Sequence, residues 1–311
     1  MRKILFIAVL FAACNKPDCP TNTTTLLPLT EMANSEFSGF KGGKYQSSNK
    51  IPVAHALYGM EQAKQLVPLN KLGVADSNEG KIGMLVLGFS TAAMTGRFVR
   101  EINYLSNSNK ALEIIIGAQG GRDINHMTAI ASTYWLSVDS VIVKSGNTAS
   151  QIQIIWLSSG DVESYAMQFP QQCYTQIEKY QATLKNIKSL FPNCRIVMLS
   201  DRTYAGYVGL NGEGPAQLAE PTAYYNGWTI KWLIQKQIDG EAGFNYVDIP
   251  FIDWGPYLWV NGTAPNQKGY TWHCTDAGKG GIHPSSKGRM KEAALVYNYF
   301  SNNLYLHHLF Y

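Results

Sequence analysis

Charge of either sign is scarce in this chain of 311 residues: 26 Lys and Arg and 22 Asp and Glu make 15% of the sequence and leave a formal charge of +4. No Lys/Arg cluster stands out, so nucleic-acid binding has no support. Cysteine is also sparse, with five residues and no C-x-x-C spacing, which argues against a zinc or dithiol redox site. Past residue 50 there is no low-complexity linker and no internal repeat, so a string of domains is not expected. The apolar run near the start, Ile4 to Ala13, is too short to span a bilayer. Hydrophobic residues nevertheless make 45% of the chain, enough for an ordinary folded core.

That first run has another use. Met1-Arg2-Lys3 is basic and Leu10-Phe11-Ala12-Ala13 leads into Cys14, the shape of an export signal. Small residues before a cysteine resemble the lipobox of bacterial lipoproteins, although Phe11 is a less usual occupant of its position. The resemblance implies lipidation at Cys14 and a place in the cell envelope; plain secretion is the alternative. Residues 15–49, rich in Asn, Thr, Ser, Pro and Gly, have the composition of a flexible tether. One domain from 50 to 311 then remains. Export permits disulfides among Cys19, Cys173, Cys194 and Cys274, and four cysteines leave three pairings open.

Apolar runs at Ile82–Leu87, Leu112–Ile116, Ile152–Leu157, Ile196–Leu199 and Tyr246–Ile249 have the length of buried strands. Between and after them lie helical patterns over Thr91–Leu105, Gln172–Leu190, Tyr224–Ile238 and Lys287–Leu304. The last should present Met290, Ala294, Tyr297 and Phe300 on one face. Alternating strands and helices predict an α/β fold with a mostly parallel five-stranded sheet and helices on both faces. Its loops of interest then share one edge of the sheet, where open α/β folds bind ligands.

Those loops hold the chemistry. Gly88-Phe89-Ser90 follows the first strand, Gly117-Ala118-Gln119-Gly120-Gly121 the second, Ser158-Ser159-Gly160-Asp161 the third, and Ser200-Asp201-Arg202-Thr203-Tyr204 the fourth. Gly281-Ile282-His283-Pro284-Ser285 precedes the last helix. A serine needs a base in hydrogen-bond reach to act as a nucleophile, and N–H donors for the developing oxyanion. Glycines leave their N–H groups unobstructed. By itself Ser90 reads more readily as a helix N-cap than as a nucleophile.

The arrangement resembles the SGNH/GDSL hydrolases of esterase type, over roughly residues 52–300. The resemblance is closest to bacterial members of carbohydrate-esterase type whose blocks read G-A-Q-G-G, L-S-x-R-x-Y-x-G-Y and H-P-S-x-x-G-R, matched here at Gly117–Gly121, Leu199–Tyr207 and His283–Arg289, and W-G-P-Y-L-W at Trp254–Trp259 also resembles that subgroup. It implies a three-layer α/β/α, flavodoxin-like sandwich, Ser90 as nucleophile and His283 as general base. It further implies an oxyanion hole from the N–H groups of Ser90 and Gly121, with Gly120 beside it. No cofactor or metal is implied. The partners would be an acylated carbohydrate, or another small ester, and the envelope lipid.

Three departures accompany it. Phe89 stands where most of the family has Asp. No Asn follows Leu157, so Ser158 or Ser159 takes the place of the last oxyanion donor, with one proton where an amide has two. Gly280 occupies the position of the family's acid. Asp276 is the nearest upstream carboxylate and the candidate replacement; a Ser-His dyad and a scaffold that only binds glycans are the alternatives. Arg202, Tyr204, Trp259 and Trp272 are candidate substrate contacts, because guanidinium groups and aromatic faces suit polar, sugar-like ligands. Asp123 and Asp161 read as turn residues, and His126, His273, His307 and His308 as ordinary histidines.

Overall fold

Five strands pair in the order β4-β3-β5-β6-β7, every pair parallel. They are β3 (Ile82–Gly88), β4 (Leu112–Ile116), β5 (Ile152–Ser158), β6 (Ile196–Ser200) and β7 (Phe251–Trp254), and a small hairpin of β1 (Glu36–Phe37) and β2 (Phe40–Lys41) precedes them. This computed structural model describes residues 24–46, 48–106, 109–209 and 214–310. Every residue of β3, β5, β6 and β7 is buried. That is why β3, β5 and β6 read as continuous apolar runs instead of alternating ones.

Side chains leave a strand on alternate faces, so each run feeds two cores. Leu85, Leu87, Ile155, Leu157, Val197 and Leu199 pack beneath α3 (Thr133–Lys144), α4 (Gln171–Leu190) and α5 (Thr222–Ile238). Met84, Val86, Ile154, Trp156, Ile196 and Met198 face α1 (Val53–Ala63), α2 (Ser90–Leu105) and α6 (Ser286–Ser301). The result is the expected three-layer α/β/α sandwich. Its sheet runs outward in both directions from the β3/β5 pair, a topological switch point that opens a crevice at the strands' C-terminal ends. Gly88, Ser158 and Ser200 stand in register at that edge.

Four expectations need correction. The strand expected at Tyr246–Ile249 lies at Phe251–Trp254 instead. Asn245 Oδ1 captures the N–H groups of Val247 and Asp248, which bends the chain into a turn, and pairing begins only after Pro250. α1 and α3 were not anticipated. α1 buries His55, Gly59 and Ala63, which carry little apolar signal, whereas the Tyr134, Trp135, Val138 and Ile142 face of α3 does have helical spacing.

The inward face of α6 was misplaced. Met290 is 62% exposed and Ala294 is exposed, while Glu292, Ala293, Val296 and Phe300 are buried. A carboxylate inside the apolar stripe disguised it.

The described part of the expected tether is not loose. Leu29, Met32 and Tyr45 belong to the core. The Leu29 N–H donates to the Tyr257 hydroxyl (2.8 Å), Tyr45 donates to Asp253 (2.7 Å), and Trp254 Nε1 donates to the Lys44 carbonyl (2.8 Å). Phe37 packs edge-on against Phe169 and Tyr224. A few apolar anchors spaced among polar residues suffice here. The export signal expected over residues 1–14, Cys14 included, lies outside the described residues, as does Cys19. Cys173 and Cys194 are free thiols and Cys274 is disulfide-bonded.

Candidate active site

The turn from β3 into α2 is built on Gly88, whose φ of +135° belongs to glycine and whose Cβ, if it had one, would lie 1.9 Å from the Ser158 carbonyl oxygen. The Tyr134 hydroxyl holds this turn, 3.0 Å from the Gly88 nitrogen and 3.2 Å from its oxygen. Phe89 is extended and Ser90 opens α2 with no side-chain cap. Ser90 is therefore not the N-cap; it is the first helical residue, and its N–H is among those a helix leaves unpaired.

Ser90 Oγ lies 2.8 Å from His283 Nε2. His283 sits on a tight hairpin in which the Gly278 N–H donates to the His283 carbonyl (2.7 Å) and Ala277 bridges Pro284. Gly281 (φ +74°) presses this hairpin against the segment after β6: a Cβ there would stand 2.0 Å from the Tyr207 carbonyl oxygen. Partial burial, and then the Arg289 guanidinium, hold the His283 pKa below the usual 6.5. At neutral pH the ring is then uncharged, and with its proton on Nδ1 it can accept from Ser90 through Nε2.

Asp276 does not serve that ring. Its carboxylate accepts from the His273 N–H (3.0 Å) and Lys291 Nζ (2.7 Å), with Lys287 Nζ at 3.5 Å. Burial pushes its pKa up, but Lys291 and the His273 amide outweigh this and the net shift is downward. Asp276 pins the hairpin to α6, and the candidate acid must be corrected to a structural anchor. Gly280 occupies the turn with φ +77°. Among the described residues Ser90 is the one hydrogen-bond partner of the His283 ring, so the immediate arrangement is a dyad.

Donors gather around the serine. A Cβ on Gly120 would be 4.0 Å from the Ser90 Cβ, and Gly121, next along, is exposed with φ +69°. The preceding Gln119 ties this loop to the strand end, its N–H donating to the Gly88 carbonyl (3.0 Å) and its side chain to that of Tyr134 (3.0 Å). The N–H groups of Gly120 and Gly121 have no partner among the described residues. Ser159 is fully buried with an unpaired hydroxyl, while its carbonyl accepts from Tyr180 (2.7 Å).

The candidate substrate contacts divide. Arg202 lies over the Phe89 ring (5.7 Å) and donates to the Leu218 carbonyl (2.9 Å), which gives the phenylalanine in Gly88-Phe89-Ser90 a role as a platform. Arg202, Tyr204 and Trp272 line a cavity of about 20 Å³ beside His283, too small for a sugar. Trp259 is fully buried and donates to Glu220 (2.9 Å), so it is a core residue and not a substrate contact. A larger cavity of about 370 Å³, lined by Tyr257, Tyr270 and Tyr299 among others, includes neither Ser90 nor His283.

Asp123 and Asp161 act as turn anchors. Asp123 accepts from Asn125 and Val162 N–H, and Asp161 binds Lys179 (2.8 Å). No group of three His, Cys, Asp or Glu among the described residues is arranged to hold a metal ion.

One residue near the site escaped sequence reading. Glu292 is 2% exposed and accepts from Thr95 and Thr203 hydroxyls, each at 2.7 Å. Burial raises its pKa against those two bonds. Its four-residue spacing to Val296 and Phe300 was the available signal: a charge placed on the buried face of a helix.

No family model matches this sequence and no curated protein matches it. Among solved structures, similar chains include an acetyl xylan esterase, AlAXEase (TM-score 0.43, 15% identity, covering 70% of this chain and 98% of that one). A protein from Slackia heliotrinireducens described as an SGNH hydrolase has a TM-score of 0.39 at 12% identity, over 71% of this chain and 99% of its own. The lipase Lip_vut3 from a goat rumen metagenome has 0.40 at 11%, over 72% and 100%. At that distance, what the site can do is decided by its own geometry.

Proposed function

We propose that this protein is a serine ester hydrolase of SGNH type, acting through Ser90 and His283. The observation that carries the proposal is the 2.8 Å approach of Ser90 Oγ to Nε2 of a histidine whose pKa is depressed. Ser90 Oγ attacks the acyl carbon and its proton passes to Nε2. The oxyanion is held by the N–H groups of Ser90 and of Gly120 or Gly121. Collapse returns the proton to the departing alcohol, and water then cleaves the acyl-enzyme by the same steps in reverse.

The substrate class we infer is an acyl ester, acetyl above all, on carbohydrate. It is supported by the motif resemblance and by the export signal, which together also support a lipid-anchored or secreted protein of the cell envelope. Aromatic residues lend it less than the sequence suggested, since Trp259 is internal. A second reading, a glycan-binding surface lipoprotein on a weakened hydrolase scaffold, is favoured by one observation: among the described residues no carboxylate directly meets the His283 ring.

Purified protein should release p-nitrophenol from p-nitrophenyl acetate and acetate from acetylated xylan, and should label with a fluorophosphonate at Ser90. Absence of both turnover and labelling, with glycan binding retained, would give the second reading the decision.

A further inference from the structure

His283 spends Nε2 on Ser90, and Nδ1 has no hydrogen-bond partner among the described residues. The cavity of about 20 Å³ is bordered by His283, Thr91, Arg202, Thr203 and Glu292. A space of that size accommodates one water, which needs roughly 10–15 Å³ and two or more polar neighbours. Glu292 reaches it from the buried face of α6. Each of its oxygens accepts one hydroxyl, from Thr95 and Thr203, and each keeps a further lone pair. Among the described residues it makes no ion pair. An unpaired carboxylate is costly at a position flanked by Ala293, Val296 and Phe300, where an apolar side chain would pack without penalty. Two threonines on separate elements are nevertheless arranged to keep it in place.

We propose that Glu292 is the positioning carboxylate of this site, working on His283 through one water in that cavity. Nδ1–H donates to the water oxygen and the water donates to Glu292. The proton from Ser90 moves to Nε2 and back, and none is transferred to the glutamate. Glu292 thereby fixes the tautomer and balances the imidazolium, the work that a carboxylate at Gly280 would otherwise do. The inference rests on the esterase reading of Ser90 and His283. Among the described residues the other charges at the ring are cationic, Arg289 from α6 and Arg202 across the cavity, and Glu292 is the one carboxylate bordering that cavity.

The test is Glu292→Gln in the full chain, which keeps shape and hydrogen bonding while removing charge. Titration of the ¹⁵N-labelled His283 ring should show its pKa falling by about one unit. On p-nitrophenyl acetate, kcat should fall about 10- to 100-fold with KM little changed, less than the roughly 10⁴-fold worth of a direct carboxylate. The acid limb of the rate should also move to lower pH. A folded variant with the parent's titration and rate would overturn the proposal. If Glu292→Gln does not fold, a high-resolution crystal structure of the parent decides: a water bonded to both Nδ1 and Glu292 supports it, and none there refutes it. A parent that a fluorophosphonate fails to label sinks the esterase reading, while the ring titration still reports on Glu292 independently.

Discussion

Ser90 and His283 meet at 2.8 Å although 193 residues separate them, and each is delivered by a glycine that no other residue could replace without displacement. Gly88 turns the strand beneath Ser90. Gly281 seats the histidine hairpin against Tyr207. The pair thus depends on backbone geometry at two remote points as much as on its own chemistry.

Ser90→Ala and His283→Ala should each reduce kcat/KM by on the order of 10⁴-fold or more while leaving the melting temperature nearly unchanged, since both side chains are at the half-buried edge of the fold. Ester hydrolysis and circular dichroism on the same preparations check this. Residual parental activity in Ser90→Ala would place the nucleophile elsewhere.

The pH dependence follows from the histidine. Its pKa is lowered by burial and then by Arg289, and the base works only when neutral. Activity should therefore be lost on acidification, with an acid limb governed by His283. Arg289→Gln removes the repelling cation, so the limb should move to higher pH, whereas Arg289→Lys should leave it in place. Profiles of kcat/KM for the three proteins provide the measurement.

Asp276→Asn should cost stability, not chemistry. Losing the carboxylate beside Lys291 and the His273 amide should destabilise the fold by about 1–3 kcal/mol at neutral pH. The kcat of the folded fraction should change only a few-fold, far from the loss expected of a triad acid. Because the folded-state pKa is depressed, this contribution is full above the ordinary carboxylate range and disappears as pH falls through the lower folded value. Denaturant unfolding at neutral and acidic pH should show the two proteins converging in acid.

Gly281→Ala should separate the site from the core. The new Cβ would collide with the Tyr207 backbone at 2.0 Å in a conformation, φ +74°, that alanine rarely adopts. The hairpin must shift, and if Ser90 and His283 act as proposed, a displacement of about 1 Å between them is enough for roughly a 100-fold loss of rate. Cooperative unfolding should persist, since the sheet and its helices are untouched; activity matching the parent would show that the hairpin tolerates the move.

Three strands of the sheet, β3, β5 and β6, were readable because they are covered on both faces, which writes each as an apolar run, whereas β7, equally buried but short and carrying Asp253, was misplaced. Ser90 was readable because motif and strand end coincide, and His283 because its motif stands just ahead of the last helix. The acid was not. Asp276 looked available by distance along the chain, but Lys291, fifteen residues later on α6, claims it in space. Glu292 was hidden for the same reason, since its partners Thr95 and Thr203 are 197 and 89 residues away. The inward packing of residues 24–46 was missed because composition averages over a stretch, whereas burial needs only Leu29, Met32 and Tyr45.

That packing also limits how the molecule can be presented at a surface. Thr24 is tied to Asn261 by two hydrogen bonds of 3.0 Å, and it borders a hollow formed with Ala205 and Val208, on the same segment that Gly281 abuts. If Cys14 bears a lipid, the ten residue steps from it to Thr24 span at most roughly 36 Å when fully extended. The point of attachment then lies beside the edge that holds Ser90. An anchored molecule would keep its reactive edge close to the membrane and search esters within a thin layer above it, instead of sweeping the wide volume a 35-residue tether would allow.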